Sequence, residues 1–214
     1  MEVVVANDPA RVVAERLAAA SGNIVVTGGT SPIRAYELAA TLRSDWSDTE
    51  IWWSDERCVP PDDELSNYKL VKESFLDRVQ TGAVHRMRGE LGRTAGAEAY
   101  EQELAALERF DFMLLGLGSD GHVASLFPDE PTLDETERKA VGAEARLEPF
   151  VDRITLTLPP LRSARTMVYL VTGDDKADAV KRAFADEPSR ATPASLVRGE
   201  ETLVVLDAAA AALL

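Results

Sequence analysis

The sequence predicts an α/β fold: one domain over residues 1–214, with a mostly parallel sheet carrying helices on both faces as a Rossmann-like, open three-layer sandwich. Three observations point there. Apolar runs of strand length alternate with segments of helical period, several of those runs end in glycines or charges just before a helix start, and 214 residues suffice for one substantial core. A composition of 45% hydrophobic and 28% charged residues is that of a folded chain rather than a disordered one.

The elements follow in order. Val3–Ala6 reads as a strand, Pro9–Ala20 as a helix, Ile24–Val26 as a strand and Pro32–Leu42 as a helix. Ile51–Ser54 is a buried-type strand, Asn67–Arg78 and Ala95–Leu107 are helical, and Phe112–Leu115 is again a strand. Strands at Ile154–Leu158, Met167–Val171 and Leu203–Leu206 follow, with a helix over Lys176–Ala185. The acidic stretch Asp129–Glu148 lacks clean periodicity and reads as an excursion, and the alanine-rich tail Ala208–Leu214 reads as a short terminal helix.

Charge and cysteine use narrow the partners. A net charge of -14 with no Lys/Arg-rich run argues against nucleic acid, and it requires any phosphate site to be built locally from backbone N–H groups and a few cations. The first residues carry no basic run ahead of their apolar stretch, and no segment reaches the roughly 18 apolar residues of a membrane span. Together with the lone Cys58, which cannot form an intrachain disulfide, this predicts a cytoplasmic protein; a monomer or weak homo-oligomer is a separate expectation that these features do not derive. Cys58 has no neighbouring histidine and reads as a bystander thiol.

In an open α/β sheet ligands sit beyond the carboxyl ends of the strands, which singles out four places. Thr27-Gly28-Gly29-Thr30-Ser31-Pro32 is a strand exit with Thr30 or Ser31 as N-cap and Pro32 at the first helical position. Its exposed N–H groups suit an anion, although an ordinary capped turn would look the same. Asp55-Glu56-Arg57 ends a second strand with three charges that need partners, either in a solvated ion cluster or in a site; Ser66-Asn67 downstream opens a helix.

The third place is Gly116-Leu-Gly118-Ser-Asp120-Gly121-His122-Val-Ala-Ser125, which holds one of the two histidines. It matches G-x-G-x-x-G after a strand, but Pro128 cuts short the helix that a dinucleotide site needs. Asp120 and His122 instead suit proton transfer, with a structural imidazole as the bland alternative. The fourth, Gly173-Asp174-Asp175-Lys176, places a cation at a helix start, where either the adjoining aspartates or a bound anion must compensate it. No Cys/His cluster or H-E-x-x-H pattern supports a metal site, and none is expected.

Taken in order, the Thr27–Pro32 block, Asp55–Pro60 with Ser66-Asn67, the Gly116–Pro128 block, Arg153-Ile-Thr-Leu-Thr-Leu-Pro159 and Gly173–Ala177 resemble the 6-phosphogluconolactonase family across nearly the whole chain. Its wider superfamily includes glucosamine-6-phosphate isomerase/deaminase; Arg57 after Asp55-Glu56, and Ser125-Leu-Phe-Pro128 after His122, are similar to the lactonase branch. The first loop departs in reading Gly-Gly-Thr-Ser-Pro where the family more often has Gly-Gly-Ser-Thr-Pro, with two hydroxyls kept either way.

The resemblance implies cofactor-free hydrolysis of 6-phospho-D-glucono-1,5-lactone in the pentose phosphate pathway. On that reading His122 is the general base that activates water, Asp120 orients it, and Arg57 stabilises oxyanion or phosphate. Gly28, Gly29, Thr30, Ser31 and Lys176 would hold the phosphate with Arg153 as a second cation, while Asp55, Asn67 and Ser125 complete the expected substrate contacts. A deaminase-type enzyme and a noncatalytic phosphosugar-binding protein are the rival expectations.

Overall fold

The computed structural model describes residues 1–146 and 148–214. The chain begins with β1 (Glu2–Val5), α1 (Pro9–Ala18), β2 (Gly22–Val26) and α2 (Ile33–Leu42), followed by β3 (Asp45–Trp46), β4 (Thr49–Trp53) and β5 (Asp55–Arg57). Next come α3 (Asn67–Ser74), β6 (Gln80–Thr81), β7 (Val84–His85), α4 (Gly92–Leu104) and β8 (Phe112–Leu115). The last part holds β9 (Ala140–Ala143), β10 (Arg153–Leu156), α5 (Leu158–Arg162), β11 (Thr166–Val171), α6 (Ala177–Phe184) and β12 (Glu201–Leu206).

Seven strands form one parallel sheet in the order β1, β12, β11, β8, β2, β4, β7. The inner strands are apolar without alternation, as strands covered on both faces must be: Ile24–Val26, Phe112–Leu115 and Val204–Leu206 are all buried. Each such side chain taken wholly from water contributes about 1.5–3 kcal/mol of transfer free energy. With right-handed crossovers, the step from β1 to β2 and on to β4 puts α1 and α2 on one face. The return from β7 to β8, and then through β11 to β12, puts α4 and α6 on the other. α1 and α2 pack on one another.

This path reverses direction between β2 and β8. The chain leaves β2 toward β4 and leaves β8 toward β11, so the loops after these neighbours part and open a crevice at the carboxyl edge of the sheet. Tyr36 fixes one lip of that crevice: its hydroxyl accepts from the Thr27 N–H at 2.9 Å and donates to the Thr27 carbonyl at 2.8 Å. Both backbone groups of the residue that follows β2 are thereby satisfied away from solvent.

Several expectations need correction. Ile154–Leu158 is not a strand of the main sheet: β10 ends at Leu156 and is the centre of a small antiparallel sheet, β5-β10-β9. The Asp129–Glu148 excursion supplies β9 to that sheet and a 3-10 turn at Pro131–Asp134. The tail Ala208–Leu214 forms turns rather than a helix, its alanine content being too short a run to propagate one. α4 starts at Gly92, directly after a 3-10 turn, three residues before the apolar period begins. α2 is capped by Pro32 without any side-chain bond, so neither Thr30 nor Ser31 is its N-cap. α6 follows a 3-10 turn over Asp174–Lys176 and likewise has no side-chain cap from Asp174 or Asp175.

Candidate active site

The crevice holds a cavity of about 260 Å³ into which all four strand exits contribute. Gly28, Gly29, Thr30 and Ser31 come from the β2 exit, Asp55 and Arg57 from β5, His122 from the β8 exit and Lys176 from the turn after β11. Asn67, at the start of α3, also lines it. Asp120, Ser125 and Arg153 do not line it: the first two are hydrogen-bonded behind His122 and Asp55, and Arg153 lies on β10 opposite Arg57.

The β2 exit is bare by construction. Gly29 takes φ +89 with nothing near the place of a Cβ, and a Cβ on Gly28 would fall 1.9 Å from Asn67 Oδ1. The two hydroxyls that cap nothing are free for other work, and Ser31 Oγ already lies 3.1 Å from Thr172 Oγ1. Thr172, directly after β11, lines the cavity too; a hydroxyl at a strand exit is the signal for it that sequence reasoning missed. Lys176 lines the cavity, and among the described residues Asp175 is the one carboxylate paired with its Nζ, at 3.2 Å.

His122 is held by its own turn. Its Nδ1 lies 2.6 Å from Asp120 Oδ1, its backbone N–H donates to the same oxygen at 3.1 Å, and its carbonyl accepts from Gly118 N–H at 2.9 Å. Burial pushes the Asp120 carboxyl upward, but the hydrogen bond and charge of His122 outweigh it and hold Asp120 below the ordinary carboxylate range. A Cβ on Gly118 would sit 2.0 Å from His122 Nδ1 and 2.6 Å from Asp120 Oδ1, so the glycine makes room for the pair. The other histidine, His85, stacks on Trp52 between Glu50 and Glu103 and does not line the cavity.

The three charges of Asp55-Glu56-Arg57 divide their tasks. Glu56, buried, accepts from Arg57 N–H, Asn67 N–H, Tyr68 N–H and Ser66 Oγ at 2.6–3.0 Å. It thus closes the N-terminus of α3, where the helix dipole and free N–H groups favour an anion, although burial still lifts its carboxyl above the usual value. Sequence reasoning gave Glu56 no role; the acid directly ahead of a Ser-Asn helix start was the available signal. Asp55 is 7% exposed and accepts from Ser125 Oγ at 2.7 Å and Ser54 Oγ at 3.1 Å. Asn67 Nδ2 donates to the Asp55 carbonyl at 2.9 Å, which leaves Asn67 Oδ1 buried without a partner.

The arginines carry the unspent charge. Arg57 Nη1 donates to the Leu65 carbonyl at 2.7 Å while its Nε has no partner. Arg153, its register partner, is 5% exposed, donates to the Pro149 carbonyl at 3.2 Å and leaves Nη1 unpaired. Burial first, then the nearby Arg57, lowers the basicity of Arg153. Two adjacent cations, Arg153 buried and Arg57 half-buried, neither in a carboxylate ion pair among the described residues, make a site complementary to an anion despite the acidic whole. Cys58 adds nothing nucleophilic here, since burial and the nearby Asp152 push its thiol up to about 11. Among the described residues, no group of three or more His, Cys, Asp or Glu is placed to hold a metal ion.

A family profile described as glucosamine-6-phosphate isomerases/6-phosphogluconolactonase matches residues 3–205. The chain belongs to this family. A 6-phosphogluconolactonase from Mycobacterium leprae is 41% identical over 206 residues, covering 88% of this chain and 83% of the relative. The crystal structure of 6-phosphogluconolactonase from Thermotoga maritima superposes with a TM-score of 0.85 at 28% identity, over 96% of this chain and 98% of that one. A monomeric glucosamine-6-phosphate deaminase of the NagB superfamily reaches a TM-score of 0.90 over all of both chains at 19% identity, which establishes the shared fold alone. Among the described residues, no helix of this family member is long and apolar enough to cross a membrane.

Proposed function

We propose that the chain hydrolyses 6-phospho-D-glucono-1,5-lactone to 6-phospho-D-gluconate in the oxidative pentose phosphate pathway, acting in the cytoplasm as one domain. The observation that carries this reading is a single cavity lined by both His122, backed by Asp120, and the Gly28–Ser31 loop with Lys176. The lactonase name of the 41% identical relative supports the same substrate.

With Nδ1 donating to Asp120, Nε2 is the basic nitrogen of the ring. It takes a proton from water as the water oxygen attacks the lactone carbonyl carbon, and Arg57 supplies positive charge to the oxyanion that forms. Collapse of this intermediate breaks the bond from that carbon to the ring oxygen, and the imidazolium returns the proton to the departing oxygen. Lys176, the bare N–H groups of Gly28 and Gly29, and the hydroxyls of Thr30 and Ser31 hold the 6-phosphate, with Arg153 adding charge from behind Arg57. Fixing that far end places the carbonyl against His122. Asp55, Asn67 and Ser125 position the sugar hydroxyls, the unpaired Asn67 Oδ1 being an acceptor ready for one of them.

The test is lactone hydrolysis coupled to 6-phosphogluconate dehydrogenase and corrected for spontaneous opening, run beside ammonia release from glucosamine 6-phosphate. Lactone turnover without ammonia is expected. Ammonia release without lactone turnover overturns the reading in favour of the deaminase chemistry found on the same fold, and phosphosugar binding with neither overturns it in favour of a binding protein.

A further inference from the structure

The turn that carries the acid and imidazole closes by a full accounting of its carbonyls. Gly118 O accepts from Gly121 N–H at 2.9 Å, and Gly121 O accepts from Ala194 N–H at 3.0 Å. The two between them are taken by one side chain: Arg182 Nη2 donates to Ser119 O and Nη1 to Asp120 O, each at 3.2 Å. Nη1 also donates to Thr192 Oγ1 at 2.9 Å, and Nε donates to Asp178 Oδ2 at 2.7 Å, one turn back on α6. The guanidinium is therefore fixed by its own helix before it meets the turn, and its planar fork spans two successive carbonyls that a point charge would not bridge. Arg182 does not line the cavity.

We infer that Arg182 is a positioning residue for the Asp120–His122 pair, holding the 119–121 backbone so that the imidazole is presented in one orientation to the cavity. This rests on the proposed role of His122 as base. α6 begins immediately after Lys176 and carries Arg182 in its last turn, so one helix sets the position of both the phosphate cation and the turn bearing the base. Displacing such a turn by an ångström is enough to cost on the order of 10²-fold in rate with no contact to substrate lost.

The test uses Arg182→Met, which keeps the aliphatic stem, with Arg182→Lys as the conservative partner. With only two histidines in the chain, nitrogen-detected NMR resolves each ring, and His122→Ala assigns them. Arg182→Met should shift or broaden the His122 Nδ1 signal while His85 stays in place, and Arg182→Lys should recover part of the change. In lactone hydrolysis, kcat should fall roughly 10- to 100-fold with KM held within about threefold. Coincident His122 signals in wild type and Arg182→Met overturn the inference, whether or not the protein turns over lactone. A responding His122 signal in a protein without lactone turnover leaves the positioning intact and removes the functional reading instead. Should Arg182→Met fail to fold, Asp178→Ala, which frees Nε alone, carries the same comparison: a smaller His122 shift is expected, and none overturns the inference.

Discussion

Ser125 donates its hydroxyl proton to Asp55 Oδ2 at 2.7 Å, tying together residues 70 positions apart. The bond joins the turn after His122 to the start of β5, just beyond the end of β4, and both residues are buried. Ser125→Ala leaves that carboxylate oxygen without its hydroxyl donor. A stability loss of about 1–2 kcal/mol, seen as a lower denaturant midpoint, and a fall in lactone turnover are expected. An unchanged midpoint with full turnover would show the bond to be idle.

Gly118 should tolerate no side chain. The alanine methyl would occupy the space of the His122 ring and the Asp120 carboxylate, so Gly118→Ala should abolish turnover while the parallel sheet stays folded. Circular dichroism and the coupled assay separate the two effects. Retained activity would mean that the turn has another conformation open to it.

His122 and Lys176 should fail differently. His122→Ala is expected to lower kcat by about 10²–10⁴, the usual contribution of a general base, whereas Lys176→Ala should chiefly raise KM. Steady-state kinetics on both variants decides it, and wild-type turnover in His122→Ala would remove the histidine from the mechanism.

The pH dependence has a definite sign. Asp120 is held below the ordinary aspartate value of about 3.9, so its contribution to folding is fully present above that value and is lost as pH falls through the lower folded-state one. Urea unfolding of wild type and Asp120→Asn should therefore differ at about pH 5, and the gap should narrow as pH falls below about 4. A gap that widens on acidification contradicts the assignment.

Glu56→Gln tests how Asn67 is placed. An amide in that position turns its NH₂ toward donors, so about 2–3 kcal/mol of stability should be lost from the start of α3. Because α3 begins with Asn67, substrate affinity should fall along with the thermal midpoint. A variant as stable as wild type would mean that the helix start is held by Ser66 alone.

Much of this arrangement was legible because parallel strands covered on both faces write themselves as unbroken apolar runs, and their exits as abrupt polarity. Ile24–Val26 into Gly28-Gly29, and Phe112–Leu115 into Gly116, are of that kind. The small sheet was harder to see: Asp55–Arg57 is a strand made of charges, stabilised by partners far along the chain that no local pattern announces. The same holds for Glu56 and Arg182, whose chemistry is spent on backbone groups of other segments. Thr30 and Ser31 misled in the opposite sense, since a hydroxyl before a helical proline looks like a cap whether or not it is left for a ligand.

The strand order has a consequence for how the protein comes into being. β1 pairs only with β12, and β12 reaches the rest of the sheet only through β11, so a chain emerging from the ribosome holds its first strand unpaired until nearly everything else has been made. β2 and β4 can meet early, while the turn bearing Lys176 arrives late. A partly synthesised or truncated chain can be compact and still have no anion pocket, which makes phosphosugar capture a stricter report of completed folding than secondary structure is.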